Sequence, residues 1–322
     1  MLSSLRLLLQ IRVMQIYLPI AETSVNILLF VGVGAAVGFV SGLLGVGGGF
    51  LMTPLLIFLG IPPAIAVGTS ANQIIASSVS GFIAYWRRDL VDFKMAGVLS
   101  VGGAFGALAG TWLFNALARN GQTDLLVSLL YVICLGTVGT LMLVESAQAI
   151  RRNRAGKSRP HRQSGQHHWL HGLPFKMRFR RSKLYISALA PLGIGFVIGA
   201  LTATMGVGGG FVLVPALIYL LLMPTNIVLG TSLLQAVIVT SLVTVLHAMG
   251  TRSVDLVLGA LLILGGVVGA QIGARAGHKL RAEELRALLA CLVIAVAIRL
   301  AVTLLLRPEE LFSVVATPLP RS

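Results

Sequence analysis

The chain has 322 residues, of which 56% are hydrophobic and 11% are charged, and its mean hydropathy is +0.92. A soluble domain of this length could not bury so much apolar surface, so the composition predicts a helical protein with many membrane spans. The formal charge of +15 does not indicate nucleic-acid binding, because eleven Lys or Arg residues and no acidic residue fall between Arg151 and Lys183.

The first predicted elements are a leader and one set of membrane helices. Residues 1–24 are expected to form a leader, either signal-like or an interfacial helix, which a translation start at Met14 would shorten. Residues 25–148 hold the first helices. An apolar helix, Val25–Leu44, precedes a GVGGG break, and Phe50–Leu59 is predicted to be a half-helix because spanning a bilayer takes about 20 residues. Full spans are then predicted at Ala64–Trp86, Phe93–Ala116 and Leu125–Ser146.

A basic segment, residues 149–184, separates this set from a second one. We expect it to be a cytoplasmic loop attracted to anionic lipid. Its His167 and His171 have the spacing of metal ligands on a helix, but the surrounding Pro and Gly residues oppose a helix, and no metal site is predicted.

Residues 185–306 follow the plan of the first set, and residues 307–322 are expected to be a loose tail. The predicted elements are Leu184–Met205, a half-helix at Phe211–Leu222, and spans at Ile227–Met249, Asp255–Gly277 and Glu284–Leu306.

The two sets contain the same motifs in the same order. GVGGGFLMTP at 45–54 returns as GVGGGFVLVP at 206–215, which is 161 positions later. The sequence GTS with a following Gln at 68–73 returns at 230–235, and Asp92 returns as Asp255. A glycine run at 102–110 returns at 265–273. Chance does not produce an ordered series of this length, so the chain is a duplicated unit.

The distribution of Lys and Arg predicts the orientation of the two units. If the basic segment is cytoplasmic, the loops that hold Arg87-Arg88 and Lys279-Arg281 are cytoplasmic too, and both termini lie outside. Each unit makes three full crossings plus a helix and half-helix pair, and this odd number turns the second unit upside down. The predicted fold class is therefore an all-α, multi-span integral membrane protein of two inverted repeats, an architecture of many secondary transporters.

The glycine breaks are the predicted substrate site. Main-chain N–H groups freed at a break within a bilayer must be satisfied by protein, water or ligand. Consecutive glycines before a helix leave unhindered N–H groups at a positive helix end, which suits an anion. The alternative is that the glycines only permit a tight turn between helices. Two copies at matching positions favour a site, whose candidates are Gly45, Gly47, Gly48, Gly49, Gly206, Gly208, Gly209 and Gly210.

Neutral polar side chains follow each break early in the next span. Thr69, Gln73, Ser77 and Ser80 share one helix face. The second copy repeats the start of this stripe and then becomes apolar at Val239 and Leu242. Hydrogen bonding between helices is the alternative explanation. Neutral donors also suit an anion, and the candidates are Thr69, Ser70, Gln73, Thr231, Ser232 and Gln235.

Few charged residues fall within the predicted spans. Helix capping is expected for three carboxylates at helix starts, Asp92, Asp124 and Asp255. Side chains near span ends are expected to reach the membrane surface, namely Glu145, His247 and Arg275. Arg299 is the deepest charge, about two turns from Arg307, and is expected to extend to the surface, with a position facing the bundle interior as the alternative. Cys134 and Cys291 are predicted to be apolar packing residues. The sequence contains no catalytic constellation, phosphate-binding loop or metal motif, so neither an enzyme nor a cofactor is predicted.

Several of these motifs together resemble the sulfite exporter TauE/SafE family of membrane permeases. They are GFVSGLLGVGGG at 38–49 with Pro54, AVGTS at 66–70, the glycine run ending at Gly110, and their copies in the second half. The resemblance covers nearly the whole chain except the leader, the basic segment and the tail. It implies a bacterial or plant-type integral membrane transporter for sulfur-containing anions such as sulfite or organosulfonates.

The expected function is therefore a secondary transporter that exports a small anion, sulfite or an organosulfonate, across the bacterial plasma membrane. Rocking of one repeat against the other would alternate access to the site. An anion channel could use the same polar breaks, and a membrane assembly or sensor protein could work through the basic segment. The sequence leaves the coupling ion, the direction of transport and the oligomeric state open.

Overall fold

The computed structural model describes residues 15–20, 23–44, 49–119, 123–154, 175–179, 181–182, 184–250, 254–277 and 282–305. The described part of the first repeat contains five helices. They are α1 (Ile27–Leu44), α2 (Gly49–Phe58), α3 (Pro63–Trp86), α4 (Phe93–Arg119) and α5 (Thr123–Arg154). Five helices follow in the second repeat: α6 (Leu189–Met205), α7 (Gly210–Tyr219), α8 (Thr225–Gly250), α9 (Leu256–Gly277) and α10 (Ala282–Leu305).

Among the described residues, four helices are long and apolar enough to cross a membrane, at Phe93–Leu117, Val127–Val144, Ile227–Gly250 and Leu256–Gly273. The half-helices α2 and α7 are 10 residues each, which is about 15 Å and half of a bilayer core. These features confirm the predicted all-α, multi-span fold class. The predicted helix–break–half-helix pattern lies at the expected position in both repeats.

A short β-hairpin precedes the first helix of each repeat, and neither hairpin was predicted. Strands β1 (Gln15–Leu18) and β2 (Thr23–Asn26) pair antiparallel, as do β3 (Lys176–Phe179) and β4 (Leu184–Ser187). The predicted start of a helix at Leu184 is wrong, because that residue begins β4 and α6 begins at Leu189. Helix α5 also continues to Arg154, past its predicted end at Ser146.

Glycines allow close packing between helices of different repeats. Helix α1 packs along α9, and its equivalent α6 packs along α4. A Cβ atom at Gly38 would overlap the main chain of Gly266, and one at Gly106 would overlap the carbonyl of Phe196. The helix axes therefore lie as close as backbone contact permits, since glycine leaves no side chain between them.

The directions of neighbouring helices show that the repeats are inverted. Gly34 of α1 lies against Leu262 and Gly38 lies against Gly266, so α1 and α9 run parallel. Gly102 of α4 lies against Leu192 and Gly106 lies against Phe196, so α4 and α6 run parallel as well.

Helices α3 and α8 connect these two groups. Gly81 lies against Leu233, and Tyr85 lies against Gly230, which precedes Leu233, so α3 and α8 are antiparallel. Helix α3 runs parallel to α9, because Gly259 lies against Thr69 and Gly266 lies against Gln73. Helix α8 runs parallel to α4, because Gly103 lies against Val239 and Gly250 lies against Asn115. Helix α1 and its equivalent α6 therefore point in opposite directions.

Asp92 and Asp255 cap the helices α4 and α9, as predicted, and also tie the two repeats together. Oδ1 of Asp92 accepts from the N–H of Met95 (3.2 Å), and Oδ1 of Asp255 accepts from the N–H of Leu258 (3.0 Å). The other oxygen of each carboxylate accepts from the hairpin of the opposite repeat. Asp92 accepts the Ser182 N–H at 3.0 Å and hydroxyl at 2.6 Å, and Asp255 accepts the Ile20 N–H at 3.2 Å.

Candidate substrate site

The second glycine break is a buried, left-handed corner between α6 and α7. Gly206, Gly208 and Gly209 have backbone φ angles of 70°, 72° and 73°, which residues other than glycine rarely adopt. Residues 206–210 are all buried. The N–H of Gly206 donates to the Thr202 carbonyl at 2.9 Å and ends α6. By contrast, the N–H groups of Val207, Gly208 and Gly209 have no hydrogen-bond acceptor in the described part of the chain.

The first break adjoins the second one. A Cβ atom at Gly49 would lie 2.5 Å from the Val207 carbonyl oxygen. The rings of Phe50 and Phe211, the second residues of α2 and α7, stack with centroids 4.8 Å apart. The positive ends of two half-helices therefore converge in the protein interior. The other predicted residues of the first break, Gly45, Gly47 and Gly48, lie outside the described residues.

Gln73 and Gln235 are buried amides whose surroundings in the described part of the chain supply no hydrogen-bond partner. Their exposed fractions are 1% and 0%. Neither the oxygen nor the nitrogen of either amide has a hydrogen-bond partner among the described residues. An amide in this condition costs free energy unless something else binds it. The two amides therefore have unused hydrogen-bonding capacity within the described part of the chain.

Both amides face a glycine of the opposite repeat. A Cβ atom at Gly266 would lie 2.7 Å from Nε2 of Gln73, and one at Gly103 would lie 3.2 Å from Nε2 of Gln235. Oε1 of Gln235 is also 3.8 Å from the Cβ position of Gly209. Gln235 is thus next to the second glycine corner. The sequence analysis used the glycine runs at 102–110 and 265–273 as evidence of duplication and of a family resemblance, and in the structure Gly103 and Gly266 also make room for the glutamines.

Thr69 and Thr231 make equivalent bonds across the repeats. Oγ1 of Thr231 accepts the N–H of Asp92 at 3.0 Å, and Oγ1 of Thr69 accepts the N–H of Asp255 at 3.0 Å. Both threonines are fully buried. These two predicted site residues therefore hold the start of α4 and of α9, and part of their hydrogen-bonding capacity is already used.

The predicted serines are also bonded within the protein. Oγ of Ser70 lies 2.7 Å from Oγ1 of Thr53 and donates within 3.2 Å to the Gly206 carbonyl, at the second corner. Oγ of Ser232 donates to the Leu229 carbonyl at 3.0 Å. Thr53 was missed by sequence reasoning, because a single Thr in a short apolar helix carries no recognisable pattern.

The corner has no charged side chain of its own. Asp92 and Asp255 are the only Asp, Glu, Lys or Arg residues that are buried in the described ranges, and both are bound at helix starts. No group of three metal-binding side chains occurs in the same ranges. The arrangement can therefore offer an anion neutral N–H donors and the partial positive charge of two helix ends.

The predicted surface location of His247 is wrong. Its side chain is 0% exposed, its Nε2 lies 2.8 Å from the Ala203 carbonyl, and its ring packs edge-on against Phe114 at 4.9 Å. Arg299 is exposed, and its guanidinium lies 4.3 Å from the ring centroid of Phe58. The side chains of Asp124, Glu145 and Arg275 lie outside the described part.

Comparison with known proteins gives consistent matches over most of the chain. Residues 30–300 match the family model described as "Sulfite exporter TauE/SafE". A "Probable membrane transporter protein" of Xylella fastidiosa (strain 9a5c) is 32% identical over 277 residues, which are 85% of this chain and 94% of the relative. "Probable membrane transporter protein YjnA" of Bacillus subtilis (strain 168) is 29% identical over 280 residues, which are 86% and 99% of the two chains.

A plant protein matches a smaller part. "Sulfite exporter TauE/SafE family protein 3" of Arabidopsis thaliana is 30% identical over 130 residues, which are 38% of this chain and 27% of that protein. No solved structure matches the chain.

Proposed function

Because the chain belongs to the sulfite exporter TauE/SafE family and is a multi-pass membrane transporter rather than an enzyme, we propose that it exports a small sulfur-containing anion. Sulfite or an organosulfonate is the proposed cargo, and the bacterial plasma membrane is the proposed location. The observation that carries this proposal is the buried meeting point of the two half-helices, which lies next to Gln235. Gln235 and its equivalent Gln73 have no hydrogen-bond partner among the described residues.

The chemistry of the meeting point fits an oxyanion. In the proposed site, the amide nitrogens of Gln73 and Gln235 and the main-chain N–H groups of Gly208 and Gly209 donate to the sulfur-bound oxygens. Gly45, Gly47, Gly48 and Gly49 supply the equivalent donors from the first repeat, with Gly206 and Gly210 shaping the second corner. Neutral donors hold the anion without forming a permanent ion pair, so the anion can leave again.

The hydroxyl residues have a supporting part in this proposal. Thr69 and Thr231 fix the starts of α9 and α4, and Ser70 fixes the second corner through the Gly206 carbonyl. Ser232 is placed beside Thr231 and completes the set. These hydrogen bonds join the two repeats. Rocking of one repeat against the other would break some of them and form others, and would expose the substrate site first to one side of the membrane and then to the other.

The basic segment between the repeats has a separate proposed role. Most of it, residues 155–174, lies outside the described residues. Its eleven Lys and Arg residues and lack of acids support attraction to anionic lipid at the cytoplasmic surface.

The proposal is tested by flux measurements on reconstituted protein. Efflux of labelled sulfite, an alkanesulfonate and sulfate is compared for the unaltered protein and for Gln73→Leu and Gln235→Leu. A hydrogen bond to a charged group contributes about 1.5–3 kcal/mol, so loss of one amide should weaken sulfite binding about 10- to 150-fold. The matched control is Gln271→Leu, because Gln271 is exposed on α9. Sulfite flux that is unchanged in both buried variants would remove the glutamines from the site.

A further inference from the structure

The two halves of the proposed anion path differ at equivalent positions. Gln73 and Gln235 are equivalent in the duplicated sequence. The contrast lies on the helix face that carries each glutamine, four, seven and eight positions further on. There α3 has small or polar residues and α8 has apolar ones: Ser77, Ser80 and Gly81 against Val239, Leu242 and Val243. All of these lie toward the end of their own helix. Because α3 and α8 are antiparallel, the polar half and the apolar half lead to opposite sides of the membrane.

The apolar residues form a closed layer directly beside Gln235. Val239 and Val243 cluster with Ala107 of α4 and Ala203 of α6, and each of the four is at most 1% exposed. The Cβ position of Gly103 lies 2.6 Å from Cγ2 of Val239 and 3.2 Å from Nε2 of Gln235. The layer and the amide are therefore immediate neighbours.

A second group of polar side chains lies on the far side of this layer. His247 contacts the layer through the Ala203 carbonyl and packs against Phe114, next to Asn115. A Cβ atom at Gly250, one turn beyond His247, would lie 3.1 Å from Nδ2 of Asn115. Three buried oxygens at this level have no hydrogen-bond partner in the described part of the chain, namely Oγ1 of Thr111, Oδ1 of Asn115 and Oγ1 of Thr244.

A hydrophobic layer between two polar positions blocks ions without a covalent barrier. Gln235 and His247 are 12 residues apart on α8, or about 18 Å along the axis. A constriction of apolar side chains excludes water, and an anion cannot shed its hydration shell there without donors. On α3, the equivalent path beyond Gln73 keeps hydroxyl groups at Ser77 and Ser80.

We propose that Ala107, Ala203, Val239 and Val243 form an apolar gate, and that Thr111, Asn115, Thr244 and His247 beyond it form an exit site for the anion. This proposal rests on the proposed function and adds a direction to it. With the orientation expected from the Lys and Arg distribution, the polar half faces the cytoplasm and the gated half faces outside. The anion enters from the cytoplasm and leaves only when the gate separates.

A leak assay tests the gate without reference to the cargo. Passive nitrate efflux from proteoliposomes is measured for a Val239→Ser/Val243→Ser double variant, which places at position 239 the serine found at the equivalent position 77. Hydration of the layer should raise the leak about tenfold or more, because the two valine side chains that keep the layer dry are replaced by hydroxyl groups. The matched control is Ile238→Ser/Val245→Ser, whose positions on the same helix are 44% and 52% exposed.

The two single variants decide the matter if the double variant does not fold. Each single variant should leak nitrate faster than the matching single control, Ile238→Ser or Val245→Ser. If the two valines contribute independently, the fold-increase of each single variant is about the square root of the fold-increase of the double variant. Folded serine variants that leak no more than the controls would overturn the gate, even if sulfite proves not to be the cargo. Loss of the proposed function alone would appear differently, as absent sulfite flux with the serine leak intact.

The exit site is tested by Thr111→Val, which removes a hydroxyl with little change in shape. We expect sulfite efflux to fall about tenfold, as for the loss of one hydrogen bond to an anion, while the nitrate leak stays low. The control is Thr137→Val, because Thr137 is exposed on α5 and bonds only to its own helix. If the Thr111→Val variant exports sulfite as fast as the control variant, the proposed exit site is wrong.

Discussion

Replacing Gln73 and Gln235 by methionine should make the protein more stable and less active. Methionine is close to glutamine in length and is unbranched, so it can fill the same space without a polar atom. Both amides are at most 1% exposed and have no partner among the described residues. In the absence of an anion, each therefore raises the free energy of the folded protein.

The size of this effect follows from the burial of the amide. An unpaired buried polar group costs about 1–3 kcal/mol, and the cost is lower where water reaches it. Each methionine should therefore raise the unfolding temperature in detergent by a few degrees, and the double variant should show about twice the shift because the residues lie on different helices. A site that sacrifices stability for binding is the expected pattern for a functional position.

The assay combines two measurements on the same preparations. Thermal unfolding is followed in the absence of anions and then with sulfite added, and sulfite efflux is measured after reconstitution. The unaltered protein should gain stability with sulfite, and the double variant should start higher and gain nothing. A double variant that unfolds at a lower temperature and keeps its sulfite response would refute the reasoning, because the amides would then have structural partners.

Two further predictions concern the frame around the site. Thr231→Val should lower the unfolding temperature, because the buried Asp92 N–H loses its acceptor at a cost of about 1–3 kcal/mol. Thr231→Ser keeps a hydroxyl group and should unfold close to the temperature of the unaltered protein. Thermal unfolding of both variants checks this, and equal unfolding temperatures for the two would contradict the prediction. Gly106→Leu should abolish folded yield, measured by size-exclusion chromatography, because its side chain overlaps the Phe196 carbonyl, whereas Gly97→Leu should be tolerated since nothing lies within 4 Å of that position.

The repeated glycine breaks made much of the architecture predictable from sequence. An interrupted apolar segment of about 10 residues cannot cross a bilayer, so Phe50–Leu59 and Phe211–Leu222 had to be half-helices. The return of the glycine run at 102–110 as 265–273 likewise indicated that the chain is a duplicated unit. The partner helix was not predictable, because a glycine stripe shows only that some backbone approaches.

Features that depend on tertiary partners were missed. The hairpins are four-residue strands with little hydrophobic period, and their role appears only where Ser182 and Ile20 reach the carboxylates of the opposite repeat. His247 lies three residues from the end of α8, where a surface position is the usual outcome. It is buried because α4 and α6 close over it, which no pattern on α8 itself reveals.

Locating a bound anion tests the central claim most directly. Selenite, an analogue of sulfite with a strong anomalous signal, can be introduced into crystals of the unaltered protein. The proposed site requires a selenium peak between Gln73 and Gln235, with its oxygens within hydrogen-bonding distance of an amide nitrogen and of the Gly208 or Gly209 N–H. A peak elsewhere in the protein, with the two glutamines bound only to one another or to water, would contradict it.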